Sequence, residues 1–322
     1  MVHQVMDGIY LIEVPLPNNP LRSVNSYVIM GDDVPIVVDT AMNREECRSV
    51  LEGALSELGI APGEPEVFVT HMHVDHLGLA PMVSAGRTNV YLGKGDASVV
   101  GDKGVWRDMV EHALKHGFPR EDPEEAMRKH PGFRFGPLGP MRLVEIEGGF
   151  PLEVGNYRFV AVHTPGHSNG HMCLYEPDKR FMFSGDHILG DITPNVSLWN
   201  DREDGLTDYL ASLRKVLDMN VVKALPGHRG IVEDPSKRIG ELIAHHEARA
   251  AEVETILGRE ELDAFTVASR MTWDMTYPSF GDFPLVQKWF AMGEALAHLR
   301  FLEAQDRAKR VERNGKALFR AL

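Results

Sequence analysis

Cysteine is scarce: Cys47 and Cys173 are the two in 322 residues. They allow one bridge at most, which excludes the disulfide framework of a small secreted domain. One falls in a stretch that reads as helix and the other in a strand, so both are expected as buried thiols. No apolar run is long enough to cross a bilayer. Positive charge is also short. Lys and Arg number 34 against 47 Asp and Glu, for a net charge of −13 and a pI near 5.6. That balance argues against a broad nucleic-acid footprint or an anionic membrane partner. Met1-Val2-His3-Gln4-Val5 has no basic region ahead of an apolar run, so no signal peptide is read there and a cytoplasmic location is expected. Short-period repeats and low-complexity tracts are missing as well.

What the chain does have is a dense run of metal-ligand types. Thr70-His71-Met72-His73-Val74-Asp75-His76-Leu77-Gly78 places four of them within six residues. Residues 66–70 before it read as a short buried strand, and Leu77 to Ser84 could open a helix. His71 and His73 are two apart, so on extended chain they point the same way. A turn then lets Asp75 and His76 face a second position. A histidine-rich polar loop is the bland alternative, and matching ligand types further along the chain argue against it.

Strands are expected at 8–14, 24–30 and 34–39, with Pro15, Pro17 and Pro20 breaking the first pair and Gly31-Asp32-Asp33 turning into the third. Asn43 or Thr40 is expected to cap a helix running to about Leu58 and stopped by Gly59. A short strand at 90–92 precedes a change of character. Residues 94–140 read as a helical insert, with Asp122-Pro123 as a helix start. Its Trp106, Phe118, Phe133 and Phe135 serve equally well as a lid or pocket wall and as the core of a surface subdomain. Strands resume at 142–147, 151–154 and 157–163, followed by a hairpin of 172–175 with 180–183, a helix at 205–218 and a strand at 221–225. Strands and helices in this order imply sheets covered by helices. From Pro235 the chain turns helical, over 236–257, 263–273 and 284–304. Asn314-Gly315 then signals a terminal hairpin. Helices followed by a hairpin resemble a winged-helix module. Residues 300–322 hold seven Lys/Arg against three Asp/Glu, and a structural or homodimer-forming cap is the favoured role for this end.

Three later motifs carry further ligand types just beyond strands, each in a glycine-containing turn that allows close backbone approach. They are His163-Thr164-Pro165-Gly166-His167 with Ser168 to His171, Ser184-Gly185-Asp186-His187, and Pro226-Gly227-His228-Arg229-Gly230. With His-x-His-x-Asp-His ahead of them, the chain closely resembles the metallo-β-lactamase superfamily of hydrolases over most of residues 1–232. The resemblance implies an α+β, four-layer αβ/βα sandwich over 1–234, with 235–322 as a helical, winged-helix-like extension. It implies His71, His73 and His167 on one metal, Asp75, His76 and His228 on a second, and Asp186 bridging both. Asp39 resembles the family's supporting aspartate. His163, His171 and His187, beside the motifs, are expected to support ligands or to be structural, and Trp199, in the loop after Asp186, is a pocket candidate. His112, His116, His130, His245, His246 and His298 read as ordinary helix or loop residues.

Imidazole and carboxylate suit two divalent ions, zinc first, with iron or manganese also compatible. Water shared by two such cations loses a proton near neutral pH and attacks an electrophilic carbonyl or phosphorus, with Asp75 expected to orient it and Asp186 to bridge. The expected substrate is a small thioester, ester or lactone, as in glyoxalase II-like relatives. A phosphodiesterase or endoribonuclease using the basic end is the alternative. A di-iron redox role ranks lower, because residues 236–322 read as too short and too helical for a flavin domain, and a purely metal-binding role ranks lower still, because every metal position is filled.

Overall fold

The computed structural model describes every residue except Met1, Asp32, Asp33, Lys103, Asp122 and Met275. The turn expected at Gly31-Asp32-Asp33 and the Asp122 helix start therefore lie partly outside the described residues. In chain order the elements are β1 (Val2–Met6), β2 (Ile9–Pro15), β3 (Ser23–Ile29), β4 (Ile36–Val38), α1 (Glu45–Glu57), β5 (Glu66–Val69), α2 (Val74–Leu77), α3 (Ala80–Ser84), β6 (Asn89–Gly93) and α4 (Lys94–Ala97). Then come α5 (Gly104–Lys115), α6 (Pro123–Lys129), α7 (Pro131–Arg134), β7 (Arg142–Ile146), β8 (Pro151–Val154), β9 (Tyr157–His163), β10 (Met172–Glu176), β11 (Phe181–Gly185), α8 (Gly205–Asp218) and β12 (Lys223–Pro226). The chain closes with α9 (Pro235–Leu257), α10 (Ala264–Arg270), α11 (Leu285–Ala304), β13 (Ala308–Arg313) and β14 (Lys316–Ala321).

These elements form two compact units, one of residues 1–100, 134–194 and 212–239, the other of 101–133, 195–211 and 240–322. Most of the insert read at 94–140 thus groups with the C-terminal residues, a division that differs from a boundary at 234.

The first unit holds a seven-stranded sheet in the order β1 to β7 and a five-stranded sheet in the order β12-β11-β10-β9-β8. The β4–β7 strands run parallel, which requires crossovers, and α1 supplies the first. Alternation along the strands divides the apolar residues between two cores. Ile9, Tyr27, Phe68, Phe159, Phe183 and Leu225 belong to one cluster that draws on both sheets. Val28, Val37, Val67 and Val69 face the opposite way and cluster with Cys47, Leu51 and Leu55 of α1 and Val83 of α3. That is the expected sandwich of two sheets covered by helices. Both cysteines are free and buried. Burial pushes the Cys47 thiol up to about 11 and the Cys173 thiol up to about 12, so both stay protonated at neutral pH.

Local readings failed at several places. No strand was expected at β1, whose residues alternate weakly and pair only with β2 at the sheet edge. Neither Asn43 nor Thr40 caps α1. The cap is Arg44, in extended conformation and without a side-chain bond. The Thr40 hydroxyl instead donates to the His76 carbonyl, and the Asn43 amide donates to Gly136 O. The helix expected over 77–84 is two short pieces, because the chain at Gly78 runs against another loop. A Cβ there would lie 2.7 Å from both Ala41 O and Asn43 N.

In the second unit, α10 and α11 pack together, and α6 and the hairpin lie on α11. The carboxylate of Asp263 caps α10 by accepting from Thr266 N at 2.8 Å. Phe118 of the insert serves this core, whereas Trp106 is half-buried and Phe133 exposed. Phe118 meets Trp289 edge-on at 5.2 Å and Phe265 at 5.5 Å, and Trp106 meets Phe133 at 5.7 Å. Phe135, in the first unit, lies beneath Arg44 and Arg134. Among the described residues no helix is long and apolar enough to cross a membrane.

The terminal hairpin pairs Arg313 with Lys316 across Asn314-Gly315, both of positive φ, 52° and 76°. An L side chain at the second position is strained. Gly315→Ala is therefore expected to destabilise the second unit by about 1 kcal/mol, read as a lower urea midpoint with an unchanged slope. An unchanged midpoint would show that the turn tolerates a side chain.

Candidate metal centre

All seven expected ligands lie in the first unit, at strand ends or just past them. β5 ends at Val69, and the next residues carry His71 and His73 before the single turn of α2 presents Asp75 and His76. The loop after β9 carries His167. Asp186 follows β11, and His228 follows β12. Two glycines make the convergence possible. A Cβ at Gly185 (φ +47°) would sit 2.5 Å from Thr70 Oγ1, and one at Gly227 would sit 2.6 Å from His76 Cε1 and 2.7 Å from Asp186 Oδ1.

His71 Nε2, His73 Nδ1 and His167 Nε2 form a triangle with sides of 2.9, 2.9 and 3.1 Å. Asp75, His76 and His228 form a second group whose ligand atoms lie within 4.8 Å of one another. Asp186 faces both groups. Its Oδ1 is 3.5 Å from His76 Nε2, and its Oδ2 is 3.6 Å from both His167 Nε2 and His228 Nε2.

These residues fit metal ions on three grounds. Tetrahedral coordination at ~2.1 Å leaves ligand atoms roughly 3.4 Å apart, close to the separations here. Among the described residues His76 Nε2 and Asp186 Oδ1 are buried without a hydrogen-bond partner, although buried polar atoms are normally paired. The electrostatics also suit a cation. Burial holds His71 well below its ordinary range and lowers His73 to about 3, which keeps the neutral imidazoles that ligate. Burial also opposes charge on His76 and His228, but Asp39 and Asp186 outweigh it at His76, raising that ring to about 10, and Asp186 and Asp75 raise His228. Carboxylates that retain a proton at these rings would equally attract a divalent ion.

Around the ligands, Asp39 holds Thr70 and His76. It accepts from Thr70 N and Thr70 Oγ1 at 2.8 Å each and from His76 Nδ1 at 2.8 Å, which leaves His76 Nε2 facing the site. Asp39 does so at φ +57°, a strained conformation kept at a working position. His171 is buried. Its Nε2 accepts from Asp186 N at 3.3 Å and its Nδ1 lies 2.8 Å from Thr164 Oγ1. His163 ties its own loop through Asn169 O at 2.9 Å. The His187 ring packs 6.1 Å from His171, with burial lowering its pKa to about 3. Trp199 belongs to the second unit, where it stacks on Trp289 at 4.8 Å. Its place there is set by packing, since a Cβ at Gly293 would strike its ring.

Two supporting residues escaped the motif reading. Asn25 donates from Nδ2 to Pro226 O at 3.0 Å and Arg229 O at 2.8 Å, bracing the turn that carries His228. Asp96 binds the loops of His71, His73 and His167. In the second unit His112, His116 and Asp201 also cluster within 4.8 Å. There Lys115, Arg300 and Arg310 already hold Asp201, at 3.3, 3.1 and 2.7 Å, and their charge repels a cation.

Two facing sheets with a His/Asp cluster at the strand ends define a metal-site αβ/βα sandwich. The sequence profile described as "Metallo-beta-lactamase superfamily" matches residues 19–228, and the chain belongs to that superfamily. A second profile, "Metallo-beta-lactamase-like, C-terminal domain", matches 280–322. An atrochrysone carboxyl ACP thioesterase of Claviceps purpurea is 25% identical over 74% of this chain and 61% of its own length. The chain thus spans under two thirds of that fungal relative. The beta-lactamase-like protein 2 homolog of Caenorhabditis elegans is 26% identical over 80% of this chain and 75% of its own length. A metallo-beta-lactamase family protein from Thermus thermophilus superposes with a TM-score of 0.80, covering 99% of this chain and 100% of that one at 29% identity.

Proposed function

We propose that this protein is a hydrolase that works with two divalent metal ions and cleaves a small acyl thioester, ester or lactone. The observation that carries the reading is Asp186, whose two oxygens face both ligand groups at 3.5–3.6 Å. His71, His73 and His167 would hold one ion, Asp75, His76 and His228 the other, and Asp186 both. Bound there, zinc, iron or manganese would supply Lewis acidity and bring the pKa of water towards neutrality. The chain's own part is orientation and charge. Burial works against ionisation of Asp75, but the bond to His228 and the charges of His76 and His228 outweigh it and hold the carboxyl well below its usual range. Asp75 is thus an ionised acceptor able to orient an attacking water. Asp39 and Ser23 fix the two rings from behind, through His76 Nδ1 and through His228 Nδ1, which donates to Ser23 O at 2.6 Å.

The thioesterase relatives support an acyl substrate. So does the C-terminal end, whose positive charge is largely paired. Arg307 is bound to Glu254, Arg310 to Asp201 and Arg313 to Glu261, which leaves less of it for a polyanion. A panel of acyl thioesters, lactones, phosphodiesters and short RNA, run with defined metals, tests the choice. The thioester or lactone is expected to exceed the phosphodiesters by at least roughly 100-fold in kcat/KM, close to 3 kcal/mol of transition-state discrimination. RNA cleavage that weakens steeply with salt, without thioester turnover, would overturn it.

A further inference from the structure

We propose that Asp96 is a positioning residue for one half of the metal site, clamping together the two loops that carry His71, His73 and His167. The inference rests on the metal reading above. Asp96 belongs to none of the ligand motifs. It sits on α4, 1% exposed. Its Oδ2 accepts from Met72 N at 2.8 Å and from Ser168 Oγ at 2.7 Å, and its Oδ1 accepts from Gly170 N at 2.6 Å. Met72 lies between His71 and His73, and Ser168 follows His167. One carboxylate therefore links the segments bearing all three nitrogens of the triangle.

The chemistry requires an acceptor with several lone pairs. Two of the three donors are backbone N–H groups, which must be satisfied when buried. A carboxylate accepts at both oxygens, whereas an amide would turn an NH2 group towards one of those donors. The approach is backbone-tight. A Cβ on Gly170 would lie 2.2 Å from Asp96 N, and one on Gly93 would lie 1.9 Å from Gly170 O. Gly93 and Gly170 thus let α4 meet the 168–170 turn. Three imidazole nitrogens lie about 3 Å apart, and a cation between them needs all three rings held in place. Asp96 supplies the clamp from outside the cluster. The other half has separate supports: Asp39 on His76, Ser23 on His228, and Asn25 on the 226–229 turn.

The consequence is selective. In the full-length Asp96→Asn protein, chelator competition after loading with Zn2+, repeated with Co2+ to follow its absorption, should show one ion held about 10–100-fold more weakly and the other within about twofold of wild type. His73→Ala identifies the ion of the three-histidine half. Asn25→Ala should weaken the opposite ion, a pattern that general destabilisation would not produce. Should Asp96→Asn fail to fold, Ser168→Ala removes one of the three bonds and is expected to weaken the same ion about threefold or more. Wild-type affinity for both ions in the folded variant, or equal loss of both, overturns the inference while leaving the metal reading in place. A wild-type protein that takes up no ion removes the metal reading itself.

Discussion

The Asp186→Asn protein is expected to lose hydrolase activity by at least roughly 10³-fold while still unfolding cooperatively in denaturant. A thousandfold loss is close to 4 kcal/mol of transition-state stabilisation. The substitution keeps the shape of the side chain and removes its charge. Asp186 Oδ1 has no hydrogen-bond partner among the described residues, and His76, His167 and His228 place their nitrogens 3.5–3.6 Å from the carboxylate. The substitution therefore breaks no hydrogen bond of Oδ1, and what the fold loses is the attraction of the neighbouring rings, which offsets the cost of burying the anion. The neighbours that hold this acid below its usual range, against burial, are His228, His76 and His167, each an expected ligand. Activity and stability should therefore separate. Wild-type kcat/KM in the folded variant would contradict the assignment of Asp186 to both ions.

Acidification should weaken the second unit long before carboxylates titrate. His112, His116, His246 and His298 are at most 9% exposed. Burial lowers their pKa values to about 4, 3, 2 and 4. Like neighbours add to the effect: His112 on His116, and His298 on His246. At His112 Lys115 pushes in the same direction and Asp201 against it, and at His298 the bond to the Glu294 carbonyl opposes burial. In the unfolded chain these rings titrate near 6.5. The unfolded state then binds more protons below that pH, so stability is full above about 6.5 and falls as pH drops towards 4. Glu294, raised by burial, works the other way and softens the loss. Each ring contributes up to ~1.4 kcal/mol per pH unit, so a loss of several kcal/mol is expected by pH 5. All four tryptophans, Trp106, Trp199, Trp273 and Trp289, belong to this unit. Their fluorescence in urea titrations at pH 7.5 and 5 reads it directly. Equal midpoints would mean that these histidines do not stay neutral in the folded protein.

The candidate cluster was legible because its residues are marked locally. His71 to His76 lie in one short segment, and His167, Asp186 and His228 each follow a strand and sit beside a glycine. What surrounds them was less legible. Asp39 could be marked from its place at the end of a strand. Asp96 and Asn25 could not, because their meaning depends on which loops fold against them. The same holds for Thr40 and Asn43, read as helix caps until the His76 and Gly136 carbonyls are found to be their partners. The insert aromatics were ambiguous for a related reason: the rings that Phe118 meets, Phe265 and Trp289, lie 147 and 171 residues further along. Short-range pattern finds reactive groups and element types. It does not find partners brought together by topology.

Adding zinc back to chelated protein, while following hydrolysis of an acyl thioester, tests metal-dependent hydrolysis at the His71–His228 cluster most directly. The rate should be near zero without metal and rise to a plateau at two ions per chain. Undiminished hydrolysis in the metal-free protein, or none at any zinc, iron or manganese content, would contradict it.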